Sequence, residues 1–172
     1  MHCLALISAV DPLLVDLTAL ALHGQDALVL TASLHAGGED DVIRLTAAQV
    51  PIGGMKGAET PPALHVARTS ECWTCSLREV LVAIAEDRSR LEPDGATVVL
   101  LPPGVELIHL APRLAEELAG TGVRLAGAAH VLDATTALDE LLEHRLLSAF
   151  PGDSRCTGAV HLTNLGYADL VL

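Results

Sequence analysis

The sequence predicts an α/β fold in which helices cover both faces of a mostly parallel sheet. Hydrophobic residues make up 51% of the 172 positions and aromatic residues only 2%, so leucine, valine and alanine are expected to fill the core. Short aliphatic runs alternate with segments of helical periodicity along the chain. Buried aliphatic strands that alternate with helices are typical of a parallel sheet between helical layers. The length favours one domain over residues 1–172.

The strands are predicted from apolar runs bounded by turn residues. Seven segments have this character, and they cover residues 3–10, 26–34, 41–47, 63–70, 96–101, 123–133 and 168–172. Three glycines and three prolines lie between Gln49 and Pro62, which predicts an exposed loop there.

The helices are predicted between these runs, at residues 12–22, 76–91, 105–120, 133–144 and 157–166. Asp11 followed by Pro12 is typical of a helix N-terminus. Ser76 followed three positions later by Glu79 forms a capping box, which predicts that the second helix begins near Ser76. Gly120 is expected to end the third helix.

Charge and composition exclude several classes of partner. The chain carries 22 acidic and 10 basic residues, a formal charge of −12. This charge repels nucleic-acid phosphates and anionic lipids, so neither nucleic acid nor a membrane is expected as a partner. The apolar N-terminus is interrupted by Asp11, Pro12 and Asp16, which disfavours a signal peptide or membrane helix. Four cysteines are too few for a disulfide scaffold, and together these features predict a reduced protein in the cytoplasm.

The stretch ECWTCSLREVL places Cys72 and Cys75 three positions apart, directly before a predicted helix. This spacing allows two thiolates to reach one Zn²⁺ ion at about 2.3 Å, and the positive end of the helix favours thiolates for metal binding or redox chemistry. A tetrahedral site needs two more ligands. His65, on the strand that leads into the cysteines, and His35, at the end of the second strand, are candidates because both are expected at the carboxyl edge of the sheet. Thiol–disulfide chemistry and plain packing remain open.

The same stretch resembles the cysteine motif of the CobW-like GTPases, relatives of the metallochaperones HypB and UreG. Further along, VVLLPPGVELIHLAPRL is similar to that family's strand, glycine turn and helix, HVLDATTALDELL to its Val-Val-Asp-Ala segment at Asp133, and GYADLVL to its Ala-Asp strand. The resemblance covers most of residues 63–172 and, more loosely, the N-terminal third. It implies a three-layer sandwich of the P-loop NTPase type. The Cys-x-x-Cys variant is similar to that of actinobacterial members, which are associated with zinc homeostasis.

The parts of that family which bind and hydrolyse GTP have no counterpart in this sequence. AVDPLLVD, residues 9–16, stands where the family has its P-loop; it lacks glycine and lysine, and its aspartates would repel a triphosphate. Leu101 stands where an acidic residue helps to hold Mg²⁺. The sequence stops at Leu172, where the guanine-recognition motif would begin, and the family's C-terminal domain is missing. We therefore expect a degenerate relative that does not bind nucleotide or hydrolyse GTP.

The function predicted from these features is metal handling. Zinc would be bound by Cys72 and Cys75, with His65 and His35 as further ligands, and passed to a client protein, as in a metallochaperone or a zinc-homeostasis factor. Two alternatives remain open. The first is a catalytically silent partner that regulates or assembles with an active CobW-like GTPase. The second is a thiol oxidoreductase whose Cys72 and Cys75 cycle through a disulfide.

Overall fold

The computed structural model describes residues 1–22, 25–35, 41–47, 64–67, 72–147 and 153–172. Within these ranges the strands are β1 (His2–Ser8), β2 (Leu28–His35), β3 (Val42–Ala47), β4 (Leu64–Ala67), β5 (Ala96–Leu100), β6 (Val123–His130) and β7 (Leu170–Val171). The helices are α1 (Pro12–Ala21), α2 (Trp73–Leu91), α3 (Leu107–Leu118), α4 (Ala137–Leu142) and α5 (Thr157–Leu165). None of the helices in the described part of the chain has the length and apolar character needed to cross a membrane. The predicted loop at residues 49–62 lies outside the described residues.

The seven strands form one sheet in the order β4-β3-β2-β5-β1-β6-β7. Five neighbouring strands are parallel to one another, namely β2, β5, β1, β6 and β7, whereas β3 is antiparallel to both β2 and β4. Leu4 and Leu6 of β1 share a core cluster with residues of α2 and α3, and Ile7 shares a second cluster with Val15 of α1. Because successive strand side chains point to opposite faces, helices lie on both faces. The predicted α/β class and three-layer arrangement are confirmed.

β1 is the central strand of the parallel part of the sheet. It pairs with β5 on one side and with β6 on the other. Leu4 and Leu6 are 0% and 1% exposed, and Leu100 on the neighbouring β5 is 1% exposed. A strand that is buried on both faces is expected to be aliphatic, and the first and fifth strands have this composition.

The start of α2 differs from the prediction. The helix begins at Trp73 with Cys72 as its N-cap, and not near Ser76. The Cys72 sulfur accepts a hydrogen bond from the backbone N–H of Cys75 at 3.2 Å, and the Ser76 N–H already bonds to the Cys72 carbonyl. The predicted capping box at Ser76 and Glu79 is therefore wrong, because the thiol of Cys72 caps the helix one turn earlier.

The helix predicted at residues 133–144 is also shorter than expected, since α4 covers only Ala137–Leu142. The Asp133 carboxylate accepts hydrogen bonds from the backbone N–H and the hydroxyl of Thr135, at 2.8 and 2.6 Å. This local turn competes with helix formation. The other predicted helices occur close to their predicted bounds.

The connection from α4 to α5 is closely packed. A Cβ atom on Gly158 would collide with the carbonyl oxygen of Leu141 and would lie 2.9 Å from that of Glu143. The backbone N–H of Thr157 bonds to the Arg145 carbonyl at 2.8 Å, and that of Gly158 bonds to Glu143. Only glycine allows this approach, so the two helices form one unit at the end of β6.

Replacing Leu6 with alanine tests the central position of β1. Its side chain is 1% exposed, so the substitution leaves a cavity and is expected to lower the free energy of unfolding by about 2–5 kcal/mol. Leu17→Ala on α1 is the matched control, because Leu17 is 50% exposed and should change stability by less than about 0.5 kcal/mol. Urea denaturation followed by circular dichroism measures both. Equal losses in the two variants would contradict this description of the core.

Candidate functional site

The first turn of α2 brings Cys72 and Cys75 together. Cys72 has extended backbone angles and lies immediately before the helix, and its sulfur accepts the Cys75 N–H at 3.2 Å. Cys72 is exposed, Cys75 is partly buried, and neither forms a disulfide. Because Cys72 is the N-cap, its sulfur lies at the positive end of a 19-residue helix. The two thiols therefore form a solvent-accessible pair that can bind one soft metal ion or react with each other.

The charges around the pair distinguish its two sulfurs. The pKa of the Cys75 thiol is raised above its ordinary value, first because its side chain hydrogen-bonds to Cys72 and then because of burial and the charges of Cys72 and Glu79; the nearby Arg78 opposes this rise. The Arg78 guanidinium also forms an ion pair with Glu117 on α3 at 2.8 Å. Cys75 thus tends to keep its proton while its backbone and side chain both donate toward Cys72, the more exposed sulfur.

The two histidines predicted as further ligands lie on the other side of the sheet. Val66 and Leu34 pack against the core that α2 covers. Their neighbours His65 and His35 therefore point to the opposite face, because side chains alternate along a strand. Both histidines are exposed, and the Nε2 atom of His35 hydrogen-bonds to the Ser33 hydroxyl at 3.0 Å. The structure brings together the two predicted cysteines but does not place either histidine on their side of the sheet.

In the part of the chain that the structure describes, no group of three or more histidine, cysteine, aspartate or glutamate side chains is arranged to hold a metal ion. The pair therefore supplies two sulfur ligands, and the assignment of His65 and His35 as additional ligands stays a prediction. α2 also borders a groove of about 350 Å³ whose walls are mainly apolar, formed with Leu64 and Val66 of β4. Its polar lining side chains are Glu79 and Asp87.

The turn between β1 and α1 is short and is filled by a carboxylate. Only residues 9–11 separate the strand from the helix. The Asp11 side chain accepts the Leu13 N–H at 2.8 Å, and its carbonyl accepts the N–H groups of Leu14 and Val15. The N–H groups of Leu13 and Leu14 are among the donors that a phosphate would use at a helix N-terminus. Leu101, where the resemblance to the CobW-like family would imply an acidic residue, is completely buried.

A buried polar chain at the carboxyl end of β1 and β6 was not predicted from the sequence. The Ser8 hydroxyl lies 2.8 Å from Nδ1 of His130, and Nε2 of His130 lies 2.9 Å from Nδ1 of His161. Nε2 of His161 lies 3.4 Å from the Glu140 carboxylate. Ser8 and His130 are 0% exposed and His161 is 1% exposed. The signal available in the sequence was one histidine in each of two apolar segments, His130 and His161. From the sequence alone, both look like ordinary strand or helix positions.

No family model, curated protein or solved structure matches this chain. The resemblance to the CobW-like family therefore stays a prediction. Since a fold does not define an activity by itself, the function has to be argued from the side chains described above.

The β1–α1 turn predicts that GTP and ATP do not bind below millimolar concentration. The Asp11 carboxylate occupies the Leu13 N–H at the start of α1, and its charge repels a triphosphate. Isothermal titration of the full chain with each nucleotide and Mg²⁺ should give no measurable heat of binding. Micromolar binding in this experiment would contradict the prediction.

Proposed function

We propose that the protein binds zinc, or a similar thiophilic divalent ion, through Cys72 and Cys75 and passes it to a client protein in the cytoplasm. The observation that carries this proposal is the convergence of two thiols, three positions apart, on the exposed N-terminus of α2. Sulfur donors with this spacing suit Zn²⁺, which prefers tetrahedral coordination with Zn–S distances of about 2.3 Å. The resemblance of the cysteine stretch to the CobW-like family supports the same cargo.

A site with two protein ligands suits transfer better than storage. Tetrahedral zinc would keep two positions for water or for ligands of the recipient. Since Cys72 is exposed, a recipient thiolate or imidazole can approach without unfolding of the donor. The first turn of α2 is closed by the Cys75 N–H bond to the Cys72 sulfur and by the Ser76 N–H bond to the Cys72 carbonyl, so the fold is not expected to depend on the ion.

The first test is zinc stoichiometry and affinity, measured by elemental analysis and by competition with a chromophoric chelator under reducing conditions. About one Zn²⁺ ion per chain is expected for the wild type. Cys72→Ser and Cys75→Ser should each abolish retention of the metal with little change in circular dichroism. Cys3→Ser is the matched control, because Cys3 lies in β1 and should leave the stoichiometry intact. Retention of zinc by both pair variants would refute the proposal, and unfolding of both would show a structural site.

The same zinc titration, repeated over a range of pH and with histidine variants, tests the pH dependence of binding and the two predicted histidine ligands. Affinity should rise with pH, because metal binding displaces the proton that the raised pKa of Cys75 favours. The increase should be about tenfold per pH unit for each proton displaced. His65→Ala and His35→Ala test the two predicted histidine ligands directly, since a lost ligand weakens binding whereas an uninvolved exposed residue leaves it unchanged.

Thiol–disulfide exchange is a second candidate, and the difference between the two sulfurs favours it. The Cys72 thiolate would attack a disulfide to form a mixed disulfide and release one thiol. Cys75 would then lose its proton and attack the Cys72 sulfur, closing the Cys72–Cys75 disulfide and releasing the second thiol. The protein dithiol is oxidised and the substrate disulfide is reduced, so two electrons are transferred.

Equilibration of the chain with mixtures of reduced and oxidised glutathione tests this candidate. Thiol exchange predicts a reversible Cys72–Cys75 disulfide with a reduction potential within the range of cellular glutathione buffers, about −180 to −320 mV. Mass spectrometry after thiol alkylation measures the oxidised fraction. Cys75→Ser should trap the mixed disulfide on Cys72. A pair that stays reduced throughout, in a protein that binds zinc, would leave metal handling as the function. The third alternative, a silent partner of an active homologue, stays a prediction.

A further inference from the structure

The chain formed by Ser8, His130, His161 and Glu140 connects four elements of the fold. Ser8 ends β1, His130 ends β6, His161 lies on α5, and Glu140 lies on α4. The connected atoms belong to residues as far as 122 positions apart. Glu140 is held at its other oxygen by the Thr136 hydroxyl at 2.6 Å. The oxygen that faces His161 is buried and has no hydrogen-bond donor among the described residues.

Only one proton fits between the two imidazoles, because their facing nitrogens are 2.9 Å apart. When both rings are neutral, the favourable arrangement has the His130 Nε2–H donating to Nδ1 of His161. The His161 Nε2–H then points toward Glu140, and the Ser8 hydroxyl donates to Nδ1 of His130. The opposite arrangement would direct a bare Nε2 lone pair of His161 at the Glu140 carboxylate, which is unfavourable.

One added proton makes the opposite arrangement favourable. His161 then carries protons on both nitrogens: Nδ1–H donates to Nε2 of His130, and Nε2–H faces Glu140. His130 stays neutral but holds its proton on Nδ1, which donates to Ser8. The Ser8 hydroxyl in turn has a second acceptor, the Ala129 carbonyl, at 3.3 Å. The three protons of the neutral chain become four. The Nδ1–H groups of His161 and His130 and the Ser8 hydroxyl each have an acceptor, and Nε2 of His161 lies 3.4 Å from the Glu140 carboxylate.

We propose that this chain is a pH-sensitive relay in which one proton taken up on His161 reverses the hydrogen bonds as far as Ser8. Ser8 immediately precedes the turn from β1 to α1. Protonation of His161 on α5 therefore changes the hydrogen bonding at the carboxyl end of the central strand. A groove of about 270 Å³ lies at this position and is lined by residues on both sides, among them Asp11, Arg145 and Thr157.

The ionisation properties of the two histidines agree with this assignment of the proton. The pKa of His130 is lowered to about 4, mainly by burial and then by the charge of His161, while a hydrogen bond to the Ser8 backbone opposes this decrease. The pKa of His161 is lowered by burial as well, but the carboxylates of Glu140 and Glu143 raise it in the opposite direction. Among the described residues, these two carboxylates are the charged groups that act on the pair, with Ser8 as the polar group on β1. The added proton therefore resides on His161.

The direction of the pH effect on stability follows from these shifts. The unfolded chain protonates its histidines near pH 6.5, whereas the folded protein does so at lower pH because both pKa values are lowered. The unfolded state thus binds more protons between about pH 6.5 and 4, so stability is fully present above this window and declines as the pH falls through it. A second proton would place two N–H groups face to face, which disrupts the packing of α5 on β6.

The test is ¹⁵N–¹H correlation spectroscopy of the histidine rings in the full chain from pH 8 to 5. At pH 8 both His130 and His161 should be Nε2–H tautomers. On acidification His161 should become doubly protonated below pH 6.5, and His130 should change to the Nδ1–H tautomer with the same midpoint. The proposal is overturned if His130 keeps its tautomer while His161 titrates, or if His161 stays neutral until the protein unfolds.

Glu140→Gln provides an independent variant that preserves the size of the side chain. Removing the carboxylate charge should lower the His161 midpoint, because the Glu140 carboxylate raises the pKa of His161. Glu143→Gln is the matched control, because the charge of Glu143 raises the pKa of His161 less than that of Glu140 does. The His161 midpoint should shift less in Glu143→Gln than in Glu140→Gln. Equal shifts in the two variants would overturn the role of Glu140 as the partner of the added proton.

Discussion

β1 shares backbone hydrogen bonds with β5 on one side and with β6 on the other, and the rest of the described structure depends on this double pairing. The register runs from Cys3 to Ile7 against β5 and from His2 to Ser8 against β6. Leu4 and Leu6 are buried on one face of the strand and Ile7 is buried on the other, while Ala5 is partly buried. The buried polar side chains of β1 stand at the two ends, where each has partners: His2 contacts the Glu92 carbonyl and Thr97, and Ser8 contacts His130. Polar groups can enter this core only where partners are available.

The helices α1 and α2, which both begin at the carboxyl edge of the sheet, use different capping atoms, and this difference separates their chemistry. α1 is capped by the Asp11 carboxylate, whose negative charge already occupies the helix N-terminus. α2 is capped by the Cys72 sulfur, which can also bind a soft metal or exchange with a disulfide. The capping carboxylate therefore opposes phosphate binding at the start of α1, whereas the capping sulfur allows thiol chemistry at the start of α2.

α5 combines structural and ionisable contacts on one face. Asn164 accepts the Leu107 N–H at 2.8 Å and donates to the Val105 carbonyl at 3.1 Å, so it caps α3, whose own N-cap Glu106 makes no side-chain capping bond. His161, one turn earlier on α5, contacts both β6 and α4. Because these two residues are fully buried, a change of charge at His161 acts on a helix that is already fixed at Asn164. This anchoring favours a change in hydrogen bonding over a displacement of the helix.

The sequence by itself determined the α/β class, the order of strands and helices and the presence of a Cys-x-x-Cys pair before a helix. These features depend on local periods of two or 3.6 residues and on capping residues close in the chain. Only the tertiary structure decided that Cys72 caps α2, that His65 and His35 lie on the opposite face from α2, and that His130 meets His161. The sequence could not show these placements because the face of a strand is set by its register with its neighbours. His130 and His161 are 31 positions apart and come into contact only when α5 packs against the end of β6.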